Sequence, residues 1–135
     1  MTNTGYAVAV MMAAGLAGCA GSEDTTADKG QSIYESFCVS CHGPSGQGDG
    51  PIADQLPSAP VDLSMLSASN DGVFPAERVM TQVYGYPGRY HQGMMPEFGP
   101  VLSGPMVEWT SPQGETVLTP QPLLDLVTYL ETLQE

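Results

Sequence analysis

The residues with the most chemistry in them are Cys38, Cys41 and His42, within Cys38-Val39-Ser40-Cys41-His42. Two thiols three positions apart can each add to one vinyl group of a haem. The histidine that follows is then held beneath the iron, so the five-residue pattern reads as attachment of one covalent haem c. Three other chemistries use the same residue types. A thioredoxin-like redox pair needs alternating strands and helices, and the chain shows no such alternation. A structural zinc site needs four ligands, and only His91 remains as a further nitrogen or sulfur ligand of the usual kind. A plain disulfide leaves His42 without a purpose.

A haem iron bound by one histidine has a second axial position. Near Gly93-Met94-Met95-Pro96-Glu97-Phe98-Gly99 the chain offers Met95, Met94 and His91 for it. A methionine thioether is soft and neutral, favours ferrous iron and raises the potential, whereas a second histidine lowers it. Methionines are also common core filler, and the chain has eight.

These groups must be positioned by the elements around them. Ile33, Tyr34, Phe37 and Cys38 give an apolar helical face leading into the cysteine motif. Gly43-Pro44-Ser45-Gly46-Gln47-Gly48-Asp49-Gly50 follows and must be loop. Pro75 to Gly85 is bracketed as a short helix, with proline at its first position, glycine past its end, and Val79, Met80 and Val83 on one face. Thr119-Pro120 opens a final helix, threonine as N-cap, with Leu123, Leu126, Val127, Leu130 and Leu133 on one stripe. Val107 to Leu118 reads as two short strands about the turn Ser111-Pro112-Gln113-Gly114.

Taken together, the haem motif, the Met-Pro loop and the terminal run Asp125-Leu126-Val127-Thr128-Tyr129-Leu130 resemble a class I c-type cytochrome, in its bacterial lipoprotein form. The resemblance covers residues 28–100 and 119–135. It implies an all-α cytochrome c fold of about three to five helices wrapped round one covalent haem c. It implies His42 and Met95 as the iron's axial ligands, Met94 and His91 being the alternatives. A proline carbonyl, from Pro60 or else Pro57, would accept the Nδ1 proton of His42. Gly30 and Tyr34 would meet Leu126 and Tyr129 where the first and last helices cross. The segment between Gly99 and Thr119 departs from the family, and a small β-hairpin near 106–118 is expected there, over the methionine side. Trp109 would shield a haem edge, donate to a propionate, or simply pack. Arg89 would pair with a propionate or stay solvated.

The third cysteine, Cys19, closes Leu16-Ala17-Gly18-Cys19 after an apolar run from Tyr6. The run is too short to cross a bilayer and suits a signal peptide. The four residues resemble a lipobox, which implies diacylglycerol on Cys19 and cleavage before it; an ordinary signal peptide is the alternative. Met1 to Gly5 lacks the Lys or Arg that a signal peptide starts with, so basic residues are expected upstream. The expected organisation is residues 1–18 as signal peptide, 19–27 as a lipidated tether, and 28–135 as the cytochrome domain on the periplasmic side of a bacterial membrane.

Fifteen acids stand against three bases, giving a net charge of −12. Such a surface repels nucleic acid and favours redox proteins with a basic docking patch, or else serves solubility alone. The function expected is single-electron transfer, by a monomer or a subunit of a complex. The alternatives are a haem subunit of a larger respiratory or dehydrogenase complex, and a haem enzyme or gas sensor with a vacant or labile sixth ligand.

Overall fold

The computed structural model describes residues 24–85 and 93–135. Among these residues, four helices and one two-stranded sheet make up a mainly α fold, as expected. Helix α1 spans Thr26–Phe37, so helix takes up the last two residues of the expected 19–27 tether. The cause is a capping box: the Asp28 backbone N–H donates to Thr25 Oγ1 at 3.2 Å, and the Thr25 N–H donates back to the Asp28 carboxylate at 2.9 Å. The helix is interrupted at Cys38 and resumes as one turn, α2, Val39–His42. Three short 3₁₀ turns lead to α3, Ala76–Tyr84. Pro75 stands one position earlier than expected, at the N-cap of α3, and Gly85 closes the helix in the left-handed conformation.

Helix α4, Gln121–Thr132, crosses α1. Gly30 makes the crossing possible, since a Cβ there would collide with the Asp125 carbonyl and lie 2.8 Å from the Tyr129 Cβ. Close approach brings the Tyr34 and Tyr129 rings to 5.3 Å, tilted at 53°. The leucine stripe of α4 then buries Leu123, Leu126, Val127 and Leu130 against Tyr34, Met80, Val83 and Leu102. Each such side chain contributes about 1.5–3 kcal/mol by leaving water. Truncating Leu123, which is fully buried, would remove about 2–5 kcal/mol.

The expected hairpin is present. Strands β1, Met106–Thr110, and β2, Thr116–Pro120, pair antiparallel with Trp109 opposite Val117 and Val107 opposite Thr119. The turn is held by Ser111 N–H to the Glu115 carbonyl at 2.8 Å. Thr119 differs from expectation. It lies inside β2 and is completely buried, and its hydroxyl has no hydrogen-bond partner, so it does not cap α4. Pro120 takes the N-cap position, and the Gln121 N–H is satisfied by the Pro105 carbonyl at 2.9 Å instead. No described helix is long and apolar enough to cross a membrane.

Candidate haem site

Helix α1 delivers the first thiol. Cys38 is buried at the end of α1, and Cys41 is half-buried on the single turn of α2. Both are free thiols, so both sulfurs are available for thioethers. Burial, with the neighbouring Cys41 adding to it, pushes the Cys38 thiol up to about 12. Among the described residues no three His, Cys, Asp or Glu side chains are grouped to hold a metal ion. Their only sheet is a two-stranded antiparallel one, which is not the thioredoxin setting.

A helix as short as α2 has carbonyls to satisfy at its end. The glycine loop satisfies them in order: Ile52 N–H donates to the Ser40 carbonyl at 3.1 Å, Gly50 N–H to Cys41 at 3.1 Å, and Gly48 N–H to His42 at 2.9 Å. From inside the core, the Tyr34 hydroxyl donates to the Gly43 carbonyl at 2.6 Å. Burial holds the Tyr34 phenol well above its usual range. The loop is therefore wrapped tightly round the motif, and its glycines admit that wrapping. Gly48, at φ +80°, presses against the Pro60 carbonyl, where a Cβ would lie 2.6 Å from the oxygen.

This packing settles how His42 is oriented. Its Nδ1 lies 3.0 Å from the Val61 carbonyl. The expected acceptor, Pro60, is thereby corrected by one residue, because the Pro60 carbonyl is turned to Gly48. Nothing in the sequence distinguishes the two adjacent carbonyls; the loop's contact with Gly48 helps to do so. With Nδ1–H donating, the lone pair sits on Nε2. Burial lowers the pKa of His42 and the Val61 bond opposes that shift, so the ring stays neutral near pH 7. A neutral imidazole with one nitrogen fixed by a carbonyl is the arrangement an iron ligand requires. Two free thiols and this oriented ring fit a covalent haem c, which Cys38 and Cys41 would attach and whose iron His42 would meet.

The second-ligand loop is tied to two helices. The Phe98 N–H donates to the Val83 carbonyl at 2.8 Å, and the Phe98 ring lies 6.2 Å from that of Phe37 at the end of α1. Met95 is half-buried and packs against the core, whereas Met94 is 58% exposed. Trp109 is half-buried and shares a groove with Glu77, Met80 and Thr81 of α3, which is a packing position. Pro57 lies on the exposed bend before Pro60. Cys19, Arg89 and His91 lie outside the described residues.

A model of the cytochrome c family matches residues 27–134. No curated protein matches the chain.

Proposed function

The chain belongs to the cytochrome c family, and from that premise we propose that it is a single-electron carrier with its haem iron held between His42 and Met95. The family carries one covalent haem c and transfers electrons with it, and haem c supplies a one-electron iron couple. The chain's own residues do the rest. Cys38 and Cys41 retain the group, His42 presents Nε2 to the iron, and Met95 closes the other side. With the group held from both sides by protein, its charge would change with little rearrangement of the chain.

The observation that carries the reading of Met95 is its contrast with Met94: two adjacent methionines, one packed inward and the other 58% exposed. Pro96 pushes Met95 towards extended geometry, and Phe98 anchors the loop three residues later. Replacing Met95 with alanine should abolish the weak near-infrared band of ferric methionine-ligated haem, admit carbon monoxide to the reduced protein, and lower the potential. Met94→Ala and His91→Ala should keep the band. If His91→Ala alone changes it, the iron is bis-histidine. If none of the three does, the sixth position is open and a haem enzyme or sensor becomes the better reading.

The site of action we infer is the periplasmic side of a bacterial membrane, with Cys19 carrying a lipid anchor. The acidic surface, −12 overall, suits redox partners that present a basic patch.

A further inference from the structure

The Val61 carbonyl that orients His42 sits in a segment fastened from two directions. On the motif side, the Leu63 N–H donates to the Gly46 carbonyl at 2.6 Å. Asp62 caps the 3₁₀ turn Leu63–Met65, accepting from the Ser64 N–H at 2.9 Å and the Ser64 hydroxyl at 2.6 Å. On the far side stands Gln134, just beyond α4, whose amide bridges this segment to α4. Its Nε2 donates to the Leu63 carbonyl at 2.8 Å and to the Leu130 carbonyl of α4 at 2.8 Å. Its Oε1 accepts from the Ser67 N–H at 2.9 Å. The Glu135 N–H adds a bond to the Ser64 carbonyl at 3.1 Å.

We propose that Gln134 is a positioning residue for the haem's proximal histidine, one that fixes the Leu63–Ser67 turn to α4 and so sets the strength of the Val61–His42 hydrogen bond and the reduction potential. The inference rests on His42 being the iron's ligand. Gln134 touches neither the histidine nor the iron. It acts through two residues of backbone, Asp62 and Leu63, whose positions follow the turn. The physical link is the electron density on the ring. A firm acceptor at Nδ1–H makes the imidazole a stronger donor and stabilises ferric iron. Loosening the turn weakens that acceptor, so the potential rises. No other residue type serves all three bonds: aspartate and asparagine are a methylene shorter, and glutamate would set a carboxylate against two carbonyl oxygens.

The test uses the haem-loaded protein. Gln134→Met keeps length and volume but removes every side-chain hydrogen bond. Gln134→Glu keeps the acceptor for Ser67 and removes both donations, and is read in the same way if the first variant folds poorly. The expected results are faster exchange of the His42 ring Nδ1 proton by NMR in the reduced protein and a higher potential. A roughly threefold fall in ferric preference reads as a rise of about 28 mV, at about 59 mV per tenfold for one electron. The near-infrared methionine band should be unchanged, since the distal loop is untouched. If the melting temperature falls while potential and ring-proton exchange stay at the parent values, Gln134 is only a structural clamp and the inference is overturned. A parent protein whose His42 ring shows no hyperfine shift in the ferric state would overturn the ligand assignment itself, a different result.

Discussion

Gly48→Ala tests how tightly the proximal side is built. Gly48 has φ +80°, and a Cβ there would lie 2.6 Å from the Pro60 oxygen, inside the 3.0 Å that real Cβ atoms essentially never cross. The Pro60–Val61 segment must therefore give by about 0.4 Å. It cannot do so freely, because Leu63 is bonded to Gly46 at 2.6 Å two residues later. Two costs add: about 1–2 kcal/mol for alanine in the left-handed region and about 1–3 kcal/mol for the forced contact. The sum, about 2–5 kcal/mol, corresponds to a fall in melting temperature of roughly 8–20 °C at about 4 °C per kcal/mol for a domain of this size.

The structure supplies its own control. Gly72 has the same φ, +80°, with nothing within 4 Å of its would-be Cβ, so Gly72→Ala carries only the backbone cost. That predicts a fall of roughly 4–8 °C. The assay is thermal unfolding of both holoproteins by circular dichroism, with their potentials alongside. Gly48→Ala should also change the potential, since a 0.4 Å shift acts on a His42–Val61 bond of 3.0 Å, while Gly72→Ala should leave it alone. Equal melting temperatures for the two variants would refute the argument that loop and proximal carbonyl are in forced contact.

Three further outcomes are expected. Asp28 is held below its ordinary value of 3.8 by the Thr25 hydroxyl and backbone N–H, so its contribution to stability is present above that value and is lost as pH falls through the lowered one. Asp28→Ala should melt below the parent at neutral pH, and the gap should close under strongly acid conditions; a gap independent of pH would count against the capping box. Cys19→Ser should release the protein from membranes, checked by fractionation, since no described helix crosses a bilayer and retention would depend on acyl chains; a variant that stays in the membrane fraction without a partner refutes lipidation. Electron transfer to a basic partner should slow as salt shortens the screening length from ~10 Å at 0.1 M to ~3 Å at 1 M; rates indifferent to salt would show that the −12 charge serves solubility.

Those parts of the fold set by side-chain type and spacing were legible in the sequence. The Cys-x-x-Cys-His motif names its chemistry, the leucine stripe of α4 is a 3.6-residue period, and Ser111-Pro112-Gln113-Gly114 is turn chemistry between β-formers. Thr119 was misread for a physical reason. A threonine before Pro120 has the local signature of an N-cap, but pairing with Val107 extends β2 through it and buries its hydroxyl. Tertiary pairing overrode a local preference, and the cap role passed to Pro120, with Pro105 accepting from Gln121. The expected 19–27 tether overlaps the first two residues of α1, because Thr25 reads as part of a polar stretch until its reciprocal cap with Asp28 is seen.

The misplaced acceptor of His42 shows where sequence information thins out. Pro60 and Val61 present chemically equivalent carbonyls, and which one faces the ring depends on backbone torsions that no side chain advertises. They are decided jointly by Gly48, which occupies the Pro60 carbonyl, by Asp62, which curls the chain into a turn, and by Gln134, which fastens that turn to α4. None of the three belongs to the haem motif, and Gln134 is more than 90 residues beyond it. The motif thus fixes which cofactor the chain carries, whereas the carbonyl that meets the His42 ring is set by backbone contacts gathered from outside it, and on the proposal made for Gln134 those contacts set the basicity of the ring. Changes at Gly48 or Gln134 would retune the carrier while leaving its haem attached, and that separates the chemistry of attachment from the chemistry of potential.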